Sequence, residues 1–173
     1  MGNTGVKVAP LQQAGMPVLL LLAAGVILLD RLTKILIVNT VTLHASHPVI
    51  PGFFDIVHVR NEGIAFGLFA GSPSAVRTLL LVLVSTVALG AVTYLLWTSG
   101  PSASRQRASL SLILGGALGN LFDRLHTGSV VDFLDFFIGA WHWPAFNVAD
   151  SAIVVGGGWL LLHLSGGEKP GRR

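Results

Sequence analysis

Between Arg77 and Arg105 the chain carries no charged residue. About 20 predominantly apolar residues are enough for a helix to cross the roughly 30 Å hydrocarbon core of a bilayer. A membrane helix over about Thr78 to Trp97 is therefore the first expectation. Three further apolar stretches are interrupted by charge near one end. Pro17 to Val38 is apolar apart from Asp30, Arg31 and Lys34, Ala108 to Phe122 runs into Asp123 and Arg124, and the stretch from Phe146 through Leu164 has Asp150 in its first turns. Composition agrees with this reading. Of the 173 residues 52% are hydrophobic and 11% charged, against about 25% charged in ordinary soluble domains, which excludes a disordered chain and argues against a soluble enzyme.

The expected fold is an all-α membrane protein in a single membrane-embedded domain. Its four transmembrane spans are placed at about 17–38, 78–97, 108–124 and 146–164, with outer loops 39–77 and 125–145 and a polar tail 165–173. The first span begins after Lys7 as a signal peptide would, but it is long and no small-x-small cleavage site follows it. Cytoplasmic loops retain Lys and Arg. With four spans, both termini and the middle loop share a side holding Lys7, Arg105, Arg107, Lys169, Arg172 and Arg173, with Glu168 among the acids. The remaining acids, Asp30, Asp55, Glu62, Asp123, Asp132, Asp135 and Asp150, fall in the other loops or at the span ends facing them. Both termini are thus expected in the cytoplasm, and the chemistry outside.

Several chemistries find no support. The chain has no cysteine, so disulfides, thiol nucleophiles and thiolate metal sites are excluded. The six histidines show no metal-ligand spacing, and neither H-E-x-x-H nor G-x-S-x-G occurs. The formal charge of +3 comes without a dense basic run, which argues against nucleic acid as a partner. Gly115-x-x-x-Gly119 and Gly156-Gly157-Gly158 read as sites of close helix packing.

The outer loops are more than linkers. Val49 to Val59 is rich in β-branched and aromatic residues, broken by Pro51-Gly52, and predicts one or two short strands. Asn61-Glu62-Gly63 predicts a turn, and Ile64 to Phe69 a segment on the membrane surface. The second loop carries Val130 to Asp135 and then Trp141-His142-Trp143-Pro144, whose tryptophans suit a lipid–water boundary.

Ionisable groups in a span cost about 2.5 to 3.5 kcal/mol each at its centre and need a partner or a use. Asp30 and Lys34, four apart, share a helical face and can pair as an anchor. Asn120, Asp123 and Arg124 gather at the outer end of span three, either as a helix-end network or as substrate contacts, and Asn147 and Asp150 repeat the i, i+3 spacing at the start of span four. Asp132 lies amid Val130, Val131, Phe133 and Leu134 in the loop between these spans. Antiparallel spans three and four can bring Asp132 and Asp150 together at the outer surface. Two carboxyls held close do not both ionise readily and share a proton, so one can take a proton from water while the other donates to a carbonyl. A small transporter is the rival reading, since membrane carboxylates also mark ion routes, but it predicts acids at midplane in broken helices. A structural scaffold, for which the acids would be dispensable, is a third.

Five ordered blocks narrow these alternatives: Asp30-Arg31-Leu32-Thr33-Lys34, Asn61-Glu62-Gly63-Ile64-Ala65-Phe66, the run Gly115 to Arg124, Gly128-Ser129-Val130-Val131-Asp132-Phe133 and Phe146-Asn147-Val148-Ala149-Asp150-Ser151. Together they closely resemble the bacterial lipoprotein signal peptidase (signal peptidase II) family over residues 30–151. The resemblance implies a four-helix aspartic peptidase of the bacterial cytoplasmic membrane with an extracytoplasmic β-cradle and a short surface helix. It would cut lipid-modified prolipoproteins on the amino side of a diacylglyceryl cysteine. On the family pattern Asp132 and Asp150 would be the catalytic pair, Asn61, Gly63, Asn120, Arg124 and Asn147 would contact substrate or shape the pocket, and Asp30, Lys34 and Asp123 would support the site. The resemblance also implies membrane lipid and globomycin-type inhibitors as partners, with no metal or other cofactor, and a monomer is expected. Glu62 and Ile64 depart from the Thr and Ala that the family often has there.

Overall fold

Proline at a helix's first turn removes only an N–H that would have no partner there, and Pro17 occupies that place in the first helix, α1 (Met16–Thr40). The remaining elements of the computed structural model, which describes residues 15–63, 74–100 and 103–165, are β1 (Ser46–Ile50), β2 (Phe54–Asn61), α2 (Ser74–Thr98), α3 (Ser104–Thr127), β3 (Val130–Ile138), β4 (Trp141–His142) and α4 (Val148–Ser165). The four helices and the small antiparallel sheet expected from sequence are both present. The surface segment expected at 64–69 lies outside the described residues, as does the tail from 166 onward.

The sheet runs β1-β2-β3-β4 with antiparallel neighbours. Pro51-Gly52 makes the β1–β2 turn, with Gly52 at φ +78°. The pairing of β2 with β3 shifts register between Ile56 and Val59 and then sets Val59 opposite Asp132 and Asn61 opposite Val130. Such a shift twists the strands locally and re-aims side chains. The sheet is seated on the bundle by Phe133, which packs with Ile37 and Val41.

The helices are apolar on their outer faces, and where they meet an apolar cluster of Leu19, Leu96 and Leu110 at one level gives way to buried polar residues at another. Leu21, Val84, Val87, Val154 and Leu162 are exposed, while Asp30, Lys34, Asn120, Asp123, Asp132 and Asn147 are buried. That arrangement inverts the usual water-soluble pattern. Among the described residues α2 is the one helix whose length and composition alone suffice to cross a membrane. α1 carries Asp30, Arg31 and Lys34 in its second half, and α4 is shorter.

α3 lies between α1, α2 and α4, packed against each. Its glycines set the spacing. A Cβ on Gly115 would come within 2.7 Å of the Ala23 carbonyl oxygen, and one on Gly116 within 2.3 Å of the Ala149 carbonyl oxygen. No side chain fits either gap. This close approach brings the polar residues of α1, α3 and the start of α4 to one level of the bundle.

Candidate active site

The site is organised by the way α4 begins. A helix leaves its first N–H groups without intrahelical partners, and Asn147, the residue before Val148, meets this need reciprocally with Asp150. Asn147 Oδ1 accepts the Asp150 N–H at 2.9 Å, and Asp150 Oδ2 accepts the Asn147 N–H at 3.3 Å. This is a capping box with an acid at its third position. It fixes the Asp150 carboxyl relative to the helix axis and leaves Oδ1 pointing to α3, where Asn120 Nδ2 donates to it at 2.7 Å.

The same Asn147 reaches the other acid. Its Nδ2 donates to Asp132 Oδ1 at 2.7 Å, and Asn61 Nδ2 from the end of β2 donates to Asp132 Oδ2 at 2.9 Å. Asp132 and Asp150, 18 positions apart in sequence by subtraction of their numbers, are thus both bonded to one asparagine. Among the described residues, each donor to either carboxyl is a neutral amide. Asp132 is only 2% exposed, and this burial pushes its carboxyl up to about 6. The charge of Asp150 pushes the same way, and the Asn61 and Asn147 bonds and the charge of Lys34 oppose it.

Beneath this pair lies a second set of charges. Lys34 Nζ is 2.8 Å from Asp30 Oδ2 and 2.7 Å from Asp123 Oδ2, and it donates to Asn120 Oδ1 at 3.0 Å. Arg31 pairs with Asp123 and lies over the Phe122 ring, 4.6 Å from its centroid. Asp30 Oδ1 also accepts the Ala149 N–H at 3.0 Å, so an acid of α1 meets one of the otherwise unpaired donors of α4. The Asp30–Lys34 pair predicted from sequence forms, but as part of a buried network joining three helices.

The remaining sequence candidates surround the pair. Arg124 donates to the Asn120 carbonyl at 3.4 Å and sits in the field of Asp150, Asp132 and Asp123. Gly63, at φ +85°, follows Asn61 in a turn in which the Gly63 N–H donates to Asn61 Oδ1 at 2.8 Å. Arg31 and the Glu62–Arg77 pair were not among the sequence candidates.

Two cavities meet at the acids and share Pro144 and Ala145 as a wall. One of about 300 Å³ is lined by Arg60, Asn61, Glu62 and Asp132. The other, of about 760 Å³, runs from Asp150 and Ser151 along Val154 and Val155 under Trp141 and Trp143. The first mixes charged and amide groups with Val59, Pro144 and Ala145, and the second is largely apolar. A peptide that carries an apolar substituent could occupy both at once while crossing the carboxyl pair.

Comparison with known proteins bears on this arrangement. The family described as Signal peptidase (SPase) II matches residues 22–165. The lipoprotein signal peptidase of Syntrophotalea carbinolica is 48% identical over 145 residues, covering 84% of this chain and 89% of its own. That of Syntrophus aciditrophicus is 45% identical over 148 residues, covering 85% and 92%. A solved bacterial membrane enzyme superposes with a TM-score of 0.79 at 31% identity, covering 90% of this chain and 97% of the other.

Proposed function

The chain belongs to the signal peptidase II family, and on that premise we propose that it is an aspartic endopeptidase which removes signal peptides from diacylglyceryl-modified prolipoproteins. It cuts on the amino side of the lipidated cysteine, and Asp132 and Asp150 activate the attacking water. The observation that carries the reading is the shared bonding of both carboxyls to Asn147, in a site whose two cavities suit a peptide and a lipid.

The chemistry needs one protonated and one ionised carboxyl. Asp132, pushed up to about 6, holds the proton and gives it to the scissile carbonyl oxygen. Asp150 takes a proton from water as the water oxygen bonds to the carbonyl carbon. Collapse of the tetrahedral intermediate breaks the C–N bond, the proton held by Asp150 passes to the leaving nitrogen, and the hydroxyl proton returns to Asp132. The signal peptide leaves with a carboxyl end and the lipidated cysteine with a free amine. Asn61, Asn120 and Asn147 hold the carboxyls in place, and with Gly63 and Arg124 they border the substrate backbone. The pocket they form would also take globomycin-type inhibitors.

In the same reading all four helices cross the bacterial cytoplasmic membrane, with both termini inside and the sheet outside. The enzyme acts as a single membrane-embedded domain, and its substrate never leaves the bilayer. Support comes from the outward-facing apolar side chains of α1, α2 and α4 and from the gathering of the acids at one end of the bundle.

Acid–base groups contribute about 10²- to 10⁴-fold to a rate. Asp132→Asn and Asp150→Asn in purified, folded enzyme are therefore each expected to slow cleavage of a lipidated prolipoprotein by about 10³-fold or more. Cleavage within a fewfold of wild type in either variant would exclude the pair.

A further inference from the structure

We propose that Arg77, through its ion pair with Glu62, is a positioning residue that keeps the Asn61 amide turned toward Asp132. The inference rests on the peptidase reading given above and extends it to the first turns of α2, a helix that contributes none of the groups bonded to the acid pair.

An asparagine side chain presents a donor at one end and an acceptor at the other, and only the donor end stabilises a carboxylate. Asn61 has its acceptor end taken by the Gly63 N–H at 2.8 Å, which leaves Nδ2 for Asp132 at 2.9 Å. The turn through residues 61–63 therefore decides which end of the amide Asp132 meets. Were that turn to loosen, the amide could rotate and set an oxygen against the carboxyl oxygens.

Two contacts with α2 hold the turn. The Glu62 carboxylate pairs with the Arg77 guanidinium. The Arg77 side chain is 6% exposed, and among the described residues its buried Nε has no hydrogen-bond partner and Glu62 is the one acid paired with it. A buried guanidinium with a single counter-charge strongly favours keeping that partner. The second contact is steric. A Cβ on Gly63 would fall 2.1 Å from Leu81 Cδ1, one helical turn beyond Arg77, so the turn lies directly against α2. Thr78, next to Arg77, donates to the Gly128 carbonyl at 3.4 Å, two residues before the strand that carries Asp132. The start of α2 thus touches both the donor's turn and the link between α3 and the acceptor's strand.

The test compares Glu62→Gln, Arg77→Gln, Arg77→Lys and Asn61→Ala by cleavage kinetics across pH, with Asp132→Asn as reference. The charged groups facing Asp132 are Asp150 on α4, Lys34 on α1 and Arg124 on α3, with Arg60 and Glu62 lining the same cavity. Glu62→Gln removes one of these charges, and the loss of that negative charge by itself would move the limb down, opposite to the loss of the clasp. Asn61 Nδ2 orients the Asp132 carboxyl in either protonation state, so Asn61→Ala should lower kcat about 10- to 100-fold through lost positioning and, because the bond favours the ionised form, move the pH limb of the carboxyl pair upward. Glu62→Gln and Arg77→Gln should lower kcat about 3- to 10-fold, a fraction of that loss, move the same limb the same way and leave KM within about twofold. Arg77→Lys, which keeps the charge, should retain most of the wild-type rate. Glu62 is 55% exposed, so Glu62→Gln carries the test should Arg77→Gln fail to fold. A wild-type pH limb in Glu62→Gln beside a shifted one in Asn61→Ala would overturn the clasp, as would a lower rate with the limb unmoved. Cleavage by Asp132→Asn would overturn the peptidase reading itself.

Discussion

The molecule holds two groups of acids within one bundle, all buried but the half-buried Asp150, and treats them in opposite ways. Asp30 and Asp123 are matched by cations: Lys34 reaches both, and Arg31 adds a second partner to Asp123. Asp132 and Asp150 are bonded to the neutral amides of Asn61, Asn147 and Asn120. Cations at ion-pair distance tie α1 to α3, and deleting one leaves a buried charge unmatched. Amides satisfy lone pairs without an ion pair, and in that setting burial raises the Asp132 carboxyl to about 6. The lower group therefore holds helices together, and Asp132 in the upper group can take up a proton near neutrality. Asn120 joins the two, accepting from Lys34 and donating to Asp150.

Removing the cation from the lower group should have the largest effect on folding. Breaking a buried ion pair by deleting one partner typically costs about 3 to 5 kcal/mol. Lys34→Met should therefore lower thermal stability in micelles by an amount of that order, whereas Asp132→Asn leaves the fold intact. Equal losses in the two variants would break the distinction between the groups.

Asn147→Ala should give a smaller effect of a different kind. It removes a helix cap, worth about 0.5 to 2 kcal/mol, and at once takes one donor from Asp132 and the reciprocal partner from Asp150. Activity is expected to fall much further than that stability loss would explain, because both carboxyls lose their orientation. Activity falling only in step with the folded fraction would mean that Asn147 is a cap and nothing more.

Much of this was legible in the sequence, for physical reasons that differ by region. Uncharged length marked α2, and β-branched and aromatic runs around Pro51-Gly52 marked the strands. The i, i+4 spacing of Asp30 and Lys34 predicted their pair, since both partners lie on one helix. The acids 132 and 150 could be brought together only as a consequence of antiparallel spans. The i, i+3 spacing of Asn147 and Asp150 before an apolar run is also that of a helix cap, and the reciprocal cap carries the link between the acids. Arg31 with Asp123 and Glu62 with Arg77 gave no such signal. Each joins separate elements, and its geometry depends on how closely glycines let α3 approach α1 and on how the turn at Gly63 lies against α2.

The central claim is that Asp132 and Asp150 form one electrostatic unit held by neutral donors. The most direct measurement is a titration of the Asp132 carboxyl by ¹³C NMR in labelled enzyme, with and without Asp150→Asn. Burial and the neighbouring charge both raise this group from 3.8 to about 6, so the folded enzyme should take up its proton as pH falls through about 6. Removing the Asp150 charge should move that midpoint down, toward the ordinary carboxylate range. A midpoint already near 4 in the wild type, or one unmoved by Asp150→Asn, would contradict the account.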